Sequence, residues 1–213
     1  LLFRTLWNLE QSHLGFETEH VTTFMAMPAD AAGFSGMAVS EDTQNAPASV
    51  ATIAYEPVLE RIRQLPGFEA AAMATSPPLS GMDLHSSFEI LGQPTDRSHQ
   101  PQARVSAASG DYARTMGTPI VRGRMINDSD ALTKPFVAVV NETLAKQYFA
   151  GKEPLGKQIN LGGKDTGMLK PYTIVGVLAD QVDSSVGGAI QPLVLLPQQQ
   201  IPTTSLFYQA LLK

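Results

Sequence analysis

The sequence predicts an α+β fold built in two parts, and three observations carry that expectation. A strand–helix–strand unit occupies the first eighty residues or so. From about Ser86 onward, short apolar strands follow one another with only two helical interruptions. A last apolar strand, Ser205 to Leu212, has the pattern to pair back with the first unit. With 213 residues the chain can bury a proper core, in one or two domains.

The elements follow in order. Val21 to Ala26 is a β-branched and aromatic strand, and a loop rich in Ala, Gly, Ser and Asp runs from Pro28 to Pro47. Tyr55, Val58, Leu59, Ile62 and Leu65 then fall at helical spacing, with Glu56, Glu60, Arg61 and Arg63 on the other face. Pro66-Gly67 stops that helix, and Phe68 to Thr75 returns as a small-residue strand ending before Pro77-Pro78. Strands are expected at Phe88 to Leu91, Ala103 to Ala107 and Pro119 to Val121. Asp111 to Met116 reads as a short helix closed by Gly117, the residue type that best tolerates a left-handed cap. Val137 to Val140 is a buried strand running straight into a helix. Asn141 serves as its N-cap, Glu142 suits the positive first turn, and Leu144, Tyr148 and Phe149 form the inner face. Gln158 to Leu161, Tyr172 to Val177 and Leu193 to Leu196 complete the strand series.

Composition narrows the function. Fifteen Lys and Arg stand against twenty Asp and Glu, a net charge of −5, which argues against nucleic acid as a partner. Cysteine is absent, so disulfide staples, Cys-ligated zinc and thiol catalysis are excluded. No run of eighteen apolar residues crosses a bilayer. The opening Leu1-Leu2-Phe3-Arg4-Thr5-Leu6-Trp7 is apolar and carries the only Trp. It suits either a helix docking on the core or the watery end of a membrane helix.

The candidates for chemistry read as structure. Gly151-Lys-Glu-Pro-Leu-Gly156-Lys157-Gln158 fits a phosphate-binding loop up to its last position. There Gln158 replaces the Ser or Thr that holds magnesium, and the helix precedes the loop where a strand should. Pro154 removes a further backbone donor, so a turn between helix and strand is expected. Gly162-Gly163-Lys-Asp-Thr-Gly167 reads as a flexible hairpin or loop. His13, His20, His85 and His99 stand alone without metal-ligand spacing. Ser80-Gly81 and Ser106 to Gly110 lack the nucleophile elbow of hydrolases. Asp128, Asp130, Asp180 and Asp183 could form a carboxylate pair, and two of them lie in the turn-like Asn127-Asp-Ser-Asp130. Methionines 25, 27, 73, 116, 125 and 168 are expected in the core, while Met37 and Met82, in loops, could soften a recognition surface. No catalytic, cofactor-binding or metal-binding residue is assigned.

Three segments in order carry a resemblance: Asp111-Tyr-Ala-Arg-Thr-Met-Gly-Thr-Pro-Ile-Val-Arg-Gly-Arg124; Val137-Ala-Val-Val-Asn-Glu-Thr-Leu-Ala-Lys-Gln-Tyr-Phe149 leading into Pro154-Leu-Gly-Lys-Gln-Ile159; and Tyr172-Thr-Ile-Val-Gly-Val177. With His13-Leu-Gly-Phe16 and Leu59-Glu-Arg-Ile-Arg-Gln-Leu-Pro-Gly67 before Ser76-Pro-Pro-Leu-Ser80, the sequence resembles the extracytoplasmic core domain of MacB-type ABC transporter permeases. It looks most like the duplicated orphan permeases abundant in acidobacteria. The resemblance implies a two-lobed domain. Residues 1–19 would be a juxtamembrane stalk, residues 20–85 and 186–213 a porter-like subdomain, and residues 86–185 an inserted smaller mixed α/β subdomain. In that family a further helix and strand complete the porter part, and an edge strand left bare by their absence would need a partner chain to cover it.

The resemblance also implies a non-catalytic domain on the periplasmic side of the inner membrane, without cofactors. It would couple ATP hydrolysis by a cytoplasmic ABC ATPase subunit to substrate export, or relay the motion to a partner. Its own transmembrane helices, a permease homodimer or pseudo-dimer and an extracytoplasmic protein would be its partners. The movable contacts would lie in the Pro28–Pro47 and Leu79–Ser87 loops. Two other readings stand beside it: a periplasmic or secreted module binding a small molecule or peptide between its lobes, and a hydrolase with a dispersed site.

Overall fold

A computed structural model describes residues 14–26, 55–94, 100–162, 171–183, 185–201 and 208–213. The first unit forms as its sequence requires. Strand β1 spans Thr22–Ala26, helix α1 Glu56–Arg63 and strand β2 Ala71–Ala74. After them come β3 (His85–Ile90), β4 (Gln102–Ala108), helix α2 (Tyr112–Met116) and β5 (Ile120–Gly123). The chain continues through β6 (Val137–Asn141), helix α3 (Glu142–Phe149), β7 (Gln158–Leu161), β8 (Tyr172–Leu178), β9 (Leu193–Pro197) and β10 (Tyr208–Leu212). The expected loop Pro28–Pro47 and the expected stalk helix at Leu1 to Leu9 lie outside the described residues. Residues 14–19 contain no helix; they form bends and a turn against the body.

All ten strands belong to one sheet, in the order β1-β10-β2-β4-β3-β7-β8-β6-β9, with β5 beside β8. A further parallel pairing of β4 with β9 joins the far end of this order back to its middle. Strands β4, β3, β7, β8, β6 and β9 therefore close into a ring. β1, β10 and β2 form an antiparallel extension, attached where Ala74 meets Ala108. β10 pairs back with β1 and β2, as the terminal apolar strand predicts. β9, from the 186–213 part, bonds to β4 and β6 of the 86–185 part.

Closure explains why β9 and the first four residues of β6 are apolar. Both are buried along their whole length, because side chains alternate between the ring interior and a second core outside it. Ala138, Val140, Val194 and Leu196 point inward with Phe88, Ile90, Ile159, Leu161, Tyr172 and Ile174, and α3 adds Leu144, Ala145 and Phe149. Val137, Val139 and Leu195 point outward, to α2 and to Ala72, Ala74 and Leu211. An irregularity in the pairing of β8 with β6 shifts the register, so Ile174 and Val177 share the inner face although three residues apart.

Helix α1 covers the extension through Tyr55 and Leu59, which meet Ala71, Met73, Ala210 and Leu212. One helix is about as wide as two strands, so it spans β2 and β10 only. Two expectations fail for that reason. Val58 and Leu65, read as part of the buried stripe, are 45% and 52% exposed, and Met25 on β1 is 57% exposed rather than core, beside an exposed Phe24. Met73 and Met116 are buried as expected, and Met125 packs partly buried on the second core.

Candidate functional site

The turn at residues 151–157 behaves as its sequence suggests. Gly151 and Gly156 take positive φ of 78° and 76°, and the backbone donors turn inward to protein acceptors. Lys152 donates to Phe149, Lys157 to Pro154, and Gly156 reaches across to Ile174. No cradle of free amides faces outward there. His20 and His85 are exposed, and His13 and His99 lie outside the described residues. Among the described residues no three His, Cys, Asp or Glu side chains could hold a metal ion.

The four candidate carboxylates are engaged separately. Both Asp180 oxygens hold the start of α3, accepting from the Thr143 amide (2.8 Å) and hydroxyl (2.9 Å). Asn141 completes that cap by accepting from Leu144 at 3.0 Å, as its N-cap reading requires. The same oxygen accepts from the Leu193 amide, and its amide donates to Gln191, so this cap also ties β6 to the entrance of β9. Asp130 receives a fork from Arg124, both bonds at 2.8 Å, and the Asn127 amide closes the turn. Asp128 is half exposed, 3.9 Å from Arg63.

Asp183 belongs to a buried polar cluster. Its partner is Arg104, read from sequence merely as part of the strand Ala103 to Ala107. A lone charge inside a short apolar strand was the available signal. The Arg104 side chain is buried, and its guanidinium meets four groups: Asp183 at 2.5 Å, Asp83 at 2.8 Å, the Ser76 hydroxyl at 2.9 Å and the Met82 carbonyl at 3.2 Å. The Asp183 contact is one of charge rather than of aligned hydrogen bonds, and neither of its oxygens accepts a bond of normal geometry. Burial therefore pushes the Asp183 carboxyl above the usual carboxylate range, against the pull of Arg104. Its Nε and Nη2 are taken up by protein acceptors, and Nη1 faces Asp183 inside the buried cluster.

This cluster also fixes the Leu79–Ser87 loop, which sequence had placed among the movable contacts. Leu79 donates to the Asp183 carbonyl at 2.7 Å, Ser76 to Met82 at 2.5 Å, and Met82 to Ser80. Met82 is half-buried. Leu79 and Leu84 remain exposed at the tips. Behind the loop an apolar cavity of about 220 Å³ opens between Leu84, Val105, Ala107, Leu161 and Ile201.

Near the N-terminal segment a second buried chain runs from Tyr112 to Gln181 (3.1 Å), from Gln181 to Thr118 (2.7 Å) and from Thr118 to the Gly15 carbonyl (3.0 Å). Gly15 has φ of 77°, and a Cβ on it would lie 2.0 Å from the Asp180 carbonyl oxygen, so only glycine permits this approach. Leu14 accepts from Val182, Glu17 donates to Met116, and the Glu17 carboxylate pairs with the Lys213 ammonium. Chain near both ends of the fold thus meets at one place. Among the described residues no helix is long and apolar enough to cross a membrane.

The model of the MacB-like periplasmic core domain matches residues 16–211. The chain belongs to that family. The fold agrees with that assignment. The periplasmic region of MacB from Actinobacillus actinomycetemcomitans is 15% identical, covers 93% of this chain and 76% of its own, and superposes with a TM-score of 0.53. The extracellular domain of the noncanonical ABC-type transporter YknZ from Gram-positive bacteria is 16% identical over 90% of this chain and 83% of its own, with a TM-score of 0.52. A permease-protein domain from Porphyromonas gingivalis is 19% identical over 74% of this chain, with a TM-score of 0.48, and the match spans 65% of that domain's length. Among the curated proteins none matches. The family assignment drawn from the ordered sequence motifs is therefore correct, and two of those motifs now have physical reasons. The His13-Leu-Gly-Phe16 glycine is the close approach to Asp180. The Arg122-Gly-Arg124 turn seats Gly123 against the Val175 carbonyl, where a Cβ would lie 2.2 Å away.

Proposed function

We propose that this domain is a non-catalytic mechanical part of an ABC permease at the inner membrane, coupling ATP hydrolysis by a cytoplasmic subunit to export or to motion relayed outside the bilayer. Its lobes are residues 20–85 with 186–213, porter-like, and residues 86–185, smaller and mixed. β9 is the strand of the first lobe that enters the sheet of the second.

The observation that carries the proposal is the family match across residues 16–211, over a fold in which Glu17 and Lys213 form an ion pair. Displacement of either flanking segment is then delivered to the same point of the body. The engagement of each candidate carboxylate in a cap, turn or ion pair favours a structural over a catalytic role for them.

The intact gene supplies the test. A phosphatase reporter that works only outside the cytoplasm, fused after Lys213, is expected to be active and to sediment with membranes. Deleting the domain is expected to abolish export or signalling while leaving the ATPase subunit able to hydrolyse ATP. A mature product released free from the membrane, binding a peptide or small molecule in saturable fashion, would replace this reading with the binding-module one.

A further inference from the structure

Three segments link the ring to the β1-β10-β2 extension: residues 75–84 cross from β2 to β3, residues 109–119 leave the ring at β4, lay α2 against the extension and return at β5, and residues 198–207 cross from β9 to β10. A hinge between two lobes requires a few residues free to change φ and ψ at such crossings. The described parts of all three are instead fastened by buried polar side chains.

Arg104, on the ring strand β4, holds the first connection through the Ser76 hydroxyl, the Met82 carbonyl and the Asp83 carboxylate, and ties the same loop to the end of β8 through Asp183. Gln181 grips both ends of the second connection, accepting from the Tyr112 hydroxyl and donating to Thr118. Arg63 of α1 adds a 3.1 Å ion pair to Asp111 at the start of α2. The third connection begins with a short 3-10 turn, Gln198–Gln200, whose two buried glutamines face opposite parts. Gln198 donates to Glu56 on α1, while Gln200 accepts from Val137 and donates to Ala131 and Pro135 beside the ring.

We infer that these fastenings weld the ring and the extension into one rigid lever, so the domain turns as a whole and does not flex between these two parts. Polar groups suit this task better than apolar ones. An apolar contact tolerates sliding at little cost, whereas a buried guanidinium or carboxamide must keep every bond it makes or leave a buried group unpaired. β4 strengthens the weld, bonding to β3 and to β2 along one edge and to β9 along the other. The inference goes beyond the proposed function and holds whatever the permease moves, because it concerns the body of the chain alone.

Paired spin labels test it on the 213-residue chain, which has no native cysteine to remove. Cysteines replace the exposed Glu60 on α1 and the exposed Lys152 beyond α3, and pulsed dipolar spectroscopy reads the distance between them. A single narrow distribution is expected. Arg104→Lys, which keeps the charge but loses the fork, and Gln200→Ala are each expected to lose that narrow distribution and the slow exchange of the Leu79 amide hydrogen. A broad or two-peaked distribution in the unsubstituted chain overturns the inference. So does a distribution left unchanged by both substitutions. If one variant does not fold, the unsubstituted chain and the other variant still decide. Failure of the reporter experiment would leave this result standing, so the two proposals fail separately.

Discussion

Replacing Arg104 with Met removes the charge and most of the hydrogen-bonding capacity of one side chain while keeping much of its volume. The consequence can be worked from its partners. Asp183 is left as a buried carboxylate without a counter-charge, and the Ser76 hydroxyl and Met82 carbonyl lose a donor. Removing one member of a buried pair typically costs about 3–5 kcal/mol. Whole domains are stable by roughly 5–15 kcal/mol, so the variant is expected to fold but to unfold at a much lower urea concentration.

The pH dependence has a definite sign. Asp183 already titrates above the ordinary carboxylate range, chiefly through burial. A raised acid pKa gives stability that is complete below the unfolded-state value and is lost as pH rises through the folded-state value. Arg104 is the main influence holding that value down, with Asp83 and Asp180 acting the other way. In the variant it climbs further, so the deficit against the parent is expected to be smaller at about pH 5 than at about pH 7. The double variant Arg104→Met/Asp183→Leu is expected to recover a large share of the loss, because no unpaired charge remains. Urea titrations of the parent, the single variant and the double variant at both pH values measure all of this. A deficit under about 1 kcal/mol, the scale of an exposed pair, without recovery in the double variant, would refute the reasoning.

Two further outcomes follow from local geometry. Gly15→Ala puts a Cβ 2.0 Å from the Asp180 carbonyl at a positive φ, and is expected to cost about 1–3 kcal/mol or more. Gly67→Ala, with φ of 98° and open space around it, should cost only the backbone strain, about 1–2 kcal/mol, and thermal melts compare the two. Asn141→Ala removes the α3 cap and strands the Leu193 amide, for a loss of about 2–4 kcal/mol. Asn141→Asp keeps the acceptor and should lose less, so equal losses in the two variants by chemical denaturation would contradict the capping account.

Much of this molecule was legible in its sequence because the signals are local. Helical spacing marked Tyr55 and Leu59 as inward. Val137 to Asn141 announced a strand passing into a capped helix, Gly117 closed α2 with φ of 64°, and the false phosphate loop was exposed by its neighbours. The ordered motifs identified the family, since each fixes a turn or close approach that few other residues satisfy. What only the tertiary structure decided was long-range. Closure of the ring through β4 and β9, the exposure of Val58 on α1 and of Met25 on β1, and the hydrogen bonding of the Leu79–Ser87 loop depend on which strands become neighbours. No window of sequence contains that information. Arg104 shows it most plainly: its partners lie 21 to 79 positions away, so a residue that reads locally as a misplaced charge becomes, once the chain folds, the point where three segments are joined.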